Sequence, residues 1–361
     1  MPENGTWNAR LLFTGREWLA RQSIKVENGR ITAIVPAEAP GTDPEAEMII
    51  PAFIDLQIYG ASSRLYSVFP DAETLSLIHQ FCVHGGAYWF QPTVATNTLE
   101  VFRKAIDGVR VYRQNGGEGC LGLHLEGPWI NPDKRGAHIG SLVHPPSIDE
   151  VRSLLNYGEG VISMITLAPE VCSEEVINTI RSAGVVISAG HTNADFRQAN
   201  DAFLKGIHAV THLYNAMSGL QHRQPGMVGA AMLHEDVMAG IIADGHHVDF
   251  AAITIARRLM KNRLFLITDA VTETGLGAYR HQREGDKFVA DGILSGSAVN
   301  MLQSVKNLLM HTDTDLDEAI RMASLYPAKA VGLAGKIGCI EVGAAARFIL
   351  TDESLSAIQV V

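Results

Sequence analysis

The order of hydrophobic and polar positions divides the chain into two kinds of segment. Near both ends, short runs rich in β-branched residues, such as 23–26, 30–35 and 346–350, are typical of strands. Asn28 and Gly29 lie between the first two runs and predict a hairpin, because a primed turn needs positive φ at both central residues. Between the ends, apolar runs alternate with helical patterns, which predicts a parallel sheet covered by helices.

Eight apolar runs of this kind follow one another in the central part of the chain. They lie at 53–55, 88–92, 121–125, 161–167, 185–189, 209–212, 238–243 and 264–268. Eight strand-helix repeats over roughly 220 residues favour a (β/α)8 barrel. The alternative is a doubly wound open sheet, but no GxGxxG sequence opens the first strand-helix turn.

The predicted fold class is therefore α/β, with a TIM-like barrel and a second, smaller domain. We expect the barrel at 51–332 and a small β-sandwich built from both chain ends, 1–50 and 333–361. After the eighth run, the sequence predicts a hairpin-like insertion at 279–294. Two helices, at 298–310 and 315–331, then lead back to the small domain.

Composition and charge limit the kinds of partner. The 361 residues carry a formal net charge of −10, which argues against nucleic acid. The four cysteines are scattered and form no CxxC pair, so we expect reduced thiols and a cytoplasmic protein. The N-terminal residues are polar, and no run approaches about 18 apolar residues, so neither a signal peptide nor a membrane span is expected.

Polar residues at the ends of four predicted strands carry the candidate chemistry. Glu126, His191 and His212 form a carboxylate and two imidazoles, a recurring ligand set of catalytic zinc that leaves one position open for water. A metal there lowers the pKa of bound water, and Asp269, at the end of the eighth strand, is the candidate base that takes its proton. We interpret His124, which alternates with Glu126, as a core histidine.

Four loops at the same end of the predicted barrel are candidates for ligand binding. His138 lies in the loop after the third strand. Arg223 lies among Gly and Pro after the sixth strand, where its guanidinium is a candidate phosphate clamp. His246 and His247 follow the seventh strand, and one of them is a second candidate for that anion. The loop 294–297 precedes a helix and offers N–H groups and hydroxyls to a polar ligand.

Together these stretches resemble the N-acetylglucosamine-6-phosphate deacetylase family of the amidohydrolase superfamily, over almost the whole chain. The motifs are His-Leu-Glu-Gly-Pro at 124–128, Lys-x-Gly-x-His at 134–138, Gly-His-Thr at 190–192, Thr-His-Leu-Tyr-Asn-Ala-Met at 211–217, Asp-Gly-x-His at 244–247, Thr-Asp-Ala at 268–270 and Leu-Ser-Gly-Ser at 294–297.

The resemblance implies a role for each of these positions. Glu126, His191 and His212 would bind one divalent ion, zinc, and Asp269 would be the catalytic acid and base. His138 would act near the N-acetyl group. The residues implied to bind the substrate are His138, Asn215, Ala216, Arg223, His247, Leu294, Ser295, Gly296 and Ser297. The arginine would come from a neighbouring subunit, which implies a homodimer.

One segment departs from the superfamily pattern. Amidohydrolases often carry His-x-His after the first strand for a second metal, whereas Gln57 and Tyr59 stand here. A neutral amide and a phenol of pKa about 10 are poor ligands at neutral pH, so one ion is expected.

The predicted function is removal of acetate from N-acetylglucosamine 6-phosphate. The alternatives are the same reaction on another sugar phosphate, such as the galactosamine epimer, and a metal-free relative that only binds sugar phosphates.

Overall fold

Both chain ends build one six-stranded sheet. The computed structural model describes residues 4–37, 46–356 and 358–361, so predictions at 1–3, 38–45 and Ala357 lie outside the described residues. In spatial order the strands are Ile358–Val360, Phe348–Thr351, Ala46–Pro51, Asn4–Phe13, Trp18–Glu27 and Arg30–Pro36. The predicted turn is confirmed, with φ of 52° at Asn28 and 69° at Gly29.

All neighbours in this sheet are antiparallel except the pair formed by Asn4–Phe13 and Ala46–Pro51. Its buried residues form an apolar cluster that includes Leu12, Ile24 and Phe348. The separate sheet domain from the chain ends is thus confirmed. Its boundaries with the barrel, at 50 and 333, stay a prediction.

The central part of the chain forms the predicted barrel. Eight parallel strands lie side by side in chain order: Phe53–Ile58, Ala87–Ala95, Leu123–Glu126, Ile162–Leu167, Val186–Ala189, Ala209–Val210, Met238–Ile242 and Leu264–Ile267. The eighth strand returns to the first, where the Asp269 amide donates to the Gln57 carbonyl and the Tyr59 amide donates to the Ala270 carbonyl, both at 2.9 Å. This closure excludes the open-sheet alternative.

The helices alternate with the strands or follow the last one, and most begin at a polar residue that caps the first turn. They span Ala72–His84, Leu99–Gln114, Ile148–Tyr157, Glu174–Ser182, Phe196–Leu204, Gly226–Leu233, Phe250–Met260, Met301–His311, Leu316–Ala323 and Leu325–Ala330. Asp71 and Thr98, for example, accept the backbone N–H groups of Thr74 and Val101. Among the described residues, none of these helices has both the length and the apolar character needed to cross a bilayer.

The prediction of one continuous helix at 315–331 is wrong. The chain leaves the helical conformation at Ser324, which has φ −131° and ψ −72°, and a second helix starts at Leu325. Pro327 explains the break, because proline has no N–H to donate to the carbonyl of residue 323. Proline is tolerated in a first turn, and the new start places Pro327 there.

The insertion after the eighth strand is larger than a hairpin. Its strands Gln282–Glu284, Lys287–Ala290 and Ile293–Ser297 form a three-stranded antiparallel sheet. Phe288 of this sheet packs with Tyr59, Leu65 and Val271 in a buried apolar cluster. The insertion therefore lies over the carboxyl end of the barrel near the first and eighth strands.

The close spacing of the neighbouring strands requires a residue without a side chain at Gly190, after the fifth strand. A Cβ atom there would lie 2.7 Å from Thr166 Cγ2 and 2.9 Å from Thr211 Cβ. We expect Gly190→Ala to lower the free energy of unfolding by about 1–3 kcal/mol, the usual cost of overpacking. Urea denaturation measures the change. Gly275→Ala is the control, since a Cβ at Gly275 meets nothing within 4 Å, and equal losses in both variants would contradict the packing explanation.

Candidate active site

Four polar side chains converge where the barrel strands end. Glu126 is the last residue of the third strand, and His191, His212 and Asp269 each follow soon after the fifth, sixth and eighth strands. The last three have positive φ angles of 47°, 31° and 54°. Non-glycine residues rarely adopt this conformation, and such strain is concentrated at functional sites. The backbone turns at these positions and aims the side chains inward.

Glu126, His191 and His212 form a compact buried group. Glu126 Oε1 lies 3.0 Å from His212 Nε2 and 3.3 Å from His191 Nε2, and the two Nε2 atoms are 3.1 Å apart. The candidate ligand atoms all lie within 4.8 Å of one another. Their exposed fractions are 2%, 5% and 5%. Three convergent donors, shielded from water, suit a divalent ion of the zinc type.

The hydrogen bond at Nδ1 of His191 supports a metal site between Glu126, His191 and His212. His191 Nδ1 lies 2.9 Å from the carbonyl oxygen of Lys134, which can only accept, so Nδ1 carries the proton. The lone pair of Nε2 then points at His212 and Glu126. Metal-binding histidines are usually oriented by such a bond from the second ring nitrogen. Electron-rich atoms held this close favour a cation between them.

Gln57 and Tyr59 fill the space between the two carboxylates of the site. Gln57 Nε2 lies 2.7 Å from Asp269 Oδ1, 2.7 Å from the Tyr59 hydroxyl and 3.1 Å from Glu126 Oε1. The Tyr59 hydroxyl in turn donates to Glu126 Oε2 at 2.5 Å. Burial, followed by the charge of Glu126, raises the pKa of Tyr59 well above its ordinary value, so the phenol keeps its proton.

Asp55 joins the first and eighth strands where the barrel closes, beneath these residues. Its carboxylate accepts hydrogen bonds from the amide and hydroxyl of Thr268 and from the amide of Gln57. Burial raises the pKa of Asp55 to about 6. Thr268 directly precedes Asp269, so these bonds hold Gln57 and Asp269 side by side.

The two acidic groups of the site have opposite electrostatic environments. Burial and then the charge of Glu126 raise the pKa of Asp269 well above its ordinary value. Burial opposes ionisation of Glu126 too, but the electrostatic attraction of the neighbouring imidazoles, His191 first, holds the pKa of Glu126 well below its usual range. Environments that separate two carboxyl pKa values in this way assign one group to carry charge and the other to carry a proton.

His138 lies against the same carboxylate. The Thr96 amide donates to His138 Nδ1 at 3.3 Å, so Nε2 carries the proton and donates to Glu126 Oε2 at 3.1 Å. Burial lowers the pKa of His138 to about 4, and the ring is neutral at pH 7. His138 thus presents one N–H group at the site.

A cavity of about 370 Å³ is lined by Glu126, His138, His191, His212 and Asp269. The cavity is also lined by Asn215, Ala216, His247, Leu294 and Ser295, all predicted to contact substrate. His247 Nδ1 pairs with Asp244 Oδ2 at 2.6 Å, so Nε2 is the ring nitrogen that remains for a ligand.

Three predicted substrate residues do not line the cavity of this chain. Arg223 is exposed to solvent in its loop. Gly296 and Ser297 lie behind Asp269, where the Ser297 amide donates to the Asp269 carbonyl at 3.0 Å. Their direct contact with substrate stays a prediction, and the two insertion residues have an observed structural role.

The sequence pattern missed several residues that line the cavity, among them Tyr279 and His281. Tyr279 donates through its hydroxyl to the Thr96 carbonyl, and the His281 ring lies against Ser295 Oγ at 2.9 Å. Both lie in the insertion, away from any barrel strand end, so no positional signal in the sequence identified them. His124, in contrast, is confirmed as a core residue, with Nε2 2.7 Å from Thr166 Oγ1.

Comparison with known proteins gives one consistent family. A protein-family profile described as Amidohydrolase family matches residues 48–360. The chain is 35% identical over 378 residues to the human N-acetylglucosamine-6-phosphate deacetylase, covering 96% of this chain and 91% of that protein. It is 32% identical over 364 residues to N-acetylgalactosamine-6-phosphate deacetylase of Escherichia coli O157:H7, covering 98% and 96%.

Solved structures agree with these sequence matches. N-acetylglucosamine-6-phosphate deacetylase from Pasteurella multocida superposes with a TM-score of 0.90 and 29% identity, covering 97% of this chain and 96% of that one. The enzyme of the same name from Thermotoga maritima gives a TM-score of 0.85 and 28% identity, covering 99% and 97%. Because the profile spans most of the chain, including all eight barrel strands, and the similarity extends over nearly the full chain, this protein belongs to the amidohydrolase family.

Proposed function

We propose that this protein is a metal-dependent hydrolase that removes acetate from N-acetylglucosamine 6-phosphate and gives glucosamine 6-phosphate. The observation that carries the proposal is the convergence of Glu126, His191, His212 and Asp269 at the floor of one cavity. Relatives named for this activity, which match nearly the whole chain, support the choice of substrate. Acetate release from the phosphorylated sugar is the direct test.

The chemistry needs a bound metal and a proton carrier. Glu126, His191 and His212 would hold a divalent ion, which we propose to be zinc, and the bound ion would supply Lewis-acid polarisation of the acetyl carbonyl and a lowered pKa of water. Asp269 accepts a proton from the attacking water and returns it to the departing amine nitrogen. Its raised pKa suits both transfers, because the carboxyl group must hold a proton between them.

His138 supplies the remaining polar contact of the reaction. Its Nε2–H group donates to Glu126 Oε2 in this structure and, in the reaction, turns to the carbonyl oxygen as negative charge develops there. The Thr96 amide holds the other ring nitrogen, so the N–H group stays directed towards the site.

We assign the sugar phosphate to the cavity wall formed by the loops after the sixth and seventh strands. Asn215, Ala216 and His247 line this wall. Arg223 is exposed in its own chain, which agrees with an arginine that reaches the site of a neighbouring subunit in a homodimer. Leu294 and Ser295 close the opposite wall, with Gly296 and Ser297 behind them.

A second substrate is the galactosamine epimer, N-acetylgalactosamine 6-phosphate. The specific observation in its favour is the 32% identity to the E. coli O157:H7 enzyme named for that substrate. Parallel assays of both epimers compare their kcat/KM values and decide the preference. The alternative of a metal-free binding protein is disfavoured by the convergence of three candidate metal ligands and a proton carrier within one cavity.

We expect one tightly bound divalent ion per chain. Gln57 and Tyr59 contribute an amide and a phenol to the space beside Glu126 and Asp269, and neither is a good ligand at neutral pH. Elemental analysis of the purified, dialysed protein measures the ratio. Two tightly held ions per chain would contradict the expectation.

We expect Asp269→Asn to lower kcat by at least about 10²-fold, since proton transfer by a placed side chain contributes about 10²–10⁴-fold. Asparagine keeps the shape and can still accept from Gln57, so metal content and substrate binding should persist. Steady-state kinetics and elemental analysis measure both. Asp201→Asn, at an exposed helical position, is the control. Near-normal kcat would remove Asp269 from the proton transfer, and loss of the metal would make Asp269 a ligand.

We expect Arg223→Ala to raise KM for the phosphorylated sugar. A lost charge-assisted contact of about 1.5–3 kcal/mol corresponds to roughly 10- to 100-fold. Turnover of the unphosphorylated sugar should be about equal in both forms. Equal losses on the two substrates would instead indicate a structural role for Arg223.

A mixed dimer tests whether the arginine crosses between subunits. One chain carries Arg223→Ala and the other Asp269→Asn. If the arginine acts on the neighbouring site, one site has both defects and the other has neither, so about half of the wild-type activity remains. An arginine that acts within its own chain leaves one defect in each site and little activity.

A further inference from the structure

The amide of Gln57 imposes a direction on the hydrogen bonds beside the metal ligands. Its Nε2 atom lies near three acceptors but has only two hydrogens. The two shorter distances, 2.7 Å each, lead to Asp269 Oδ1 and the Tyr59 hydroxyl, while Glu126 Oε1 is at 3.1 Å. The Tyr59 oxygen therefore accepts from Gln57, and its own proton is directed to Glu126.

The Tyr59 hydroxyl donates a hydrogen bond to one particular oxygen of the buried Glu126 carboxylate. It donates to Oε2 of Glu126, whereas His191 and His212 face Oε1. The phenol ring is 8% exposed and packs with Leu65 and Val271, so the hydroxyl has little freedom to move. Glu126 is thereby held in the orientation that presents Oε1 to the two imidazoles.

Gln57 occupies the place between the two acids. Its amide donates directly to Asp269 and reaches Glu126 through the Tyr59 hydroxyl, so the pair reduces the repulsion between two neighbouring carboxyl groups. A second cation would have to bind at this same position. The amide and the phenol therefore substitute for it as neutral hydrogen-bond donors.

We propose that Tyr59 is a positioning residue, which with Gln57 restricts the site to a single metal ion. Its hydroxyl holds Oε2 of Glu126, so the carboxylate offers Oε1 alone to the ion bound with His191 and His212. This inference rests on the proposed metal-dependent function and concerns its ligand geometry.

Tyr59→Phe is the sharpest test, because it removes one oxygen atom and keeps the ring. Loss of an outer hydrogen bond to a metal ligand typically costs 10–100-fold in metal affinity. We expect the Kd of the metal-free protein for Zn²⁺, measured by competition with a chromophoric chelator without substrate, to rise by about that factor. An unchanged Kd would overturn the positioning role.

Tyr66→Phe is the matched control. Tyr66 is also buried, but its hydroxyl donates to the Ala105 carbonyl, outside the cavity. Tyr59→Phe loses two buried hydrogen bonds and Tyr66→Phe loses one, so both Tm values should fall, while only Tyr59→Phe changes the Kd for Zn²⁺. An equal change of Kd in both variants would mean that general destabilisation, not positioning of Glu126, sets the affinity.

A double variant tests the restriction to one ion independently. Gln57→His with Tyr59→His replaces both neutral donors by imidazoles next to the two carboxyl groups. We expect the tightly bound Zn²⁺ to increase from one to two per chain, and a ratio that stays at one would contradict the restriction. If Tyr59→Phe does not fold, the number of Zn²⁺ ions bound by the double variant still tests whether Gln57 and Tyr59 restrict the site to one ion.

The wild-type protein separates failure of this inference from failure of the proposed function. If it neither binds Zn²⁺ nor releases acetate, the proposed function itself is wrong. If it does both and the Tyr59 variants bind Zn²⁺ as wild type does, only the role of Tyr59 is wrong.

Discussion

A buried carboxylate governs the organisation of this site. Glu126 is 2% exposed, and an ionised group removed from water is costly unless charges and hydrogen bonds compensate it. Both of its oxygens are accordingly engaged: Oε1 faces His191 and His212, while Oε2 meets Tyr59 and His138. The surrounding residues are arranged to keep one negative charge at the floor of the cavity, where a bound cation would complete the compensation.

The closed barrel makes this arrangement possible. Asp55 on the first strand holds Thr268 at the end of the eighth, so the two strand ends meet with their side chains in fixed register. Gln57 and Asp269 extend from these two ends and bond to each other across the seam. The site therefore draws its rigidity from strands rather than from loops, which is how precise polar geometry is usually supported.

Much of the fold followed from local patterns. The eight strands, the turn at Asn28 and Gly29 and most helices were predicted, because apolar periodicity and polar caps act over a few residues. The ends of strands were predicted less accurately than their positions. The sixth strand was predicted to reach residue 212 but stops at Val210, because the chain turns there and directs His212 inward. The break at Ser324 was missed because helical periodicity continues across it, although Pro327 was a visible signal against one helix.

The sequence by itself determined which chemical groups stand at the strand ends. Glu126, His191, His212 and Asp269 could be selected because parallel strands in a barrel open their sites at one common end. Only the tertiary structure decided what surrounds them. Gln57 lies 69 positions from Glu126 and 212 from Asp269, yet its one amide nitrogen contacts both. Such contacts depend on barrel closure and side-chain packing, and no local pattern records which distant residues will meet.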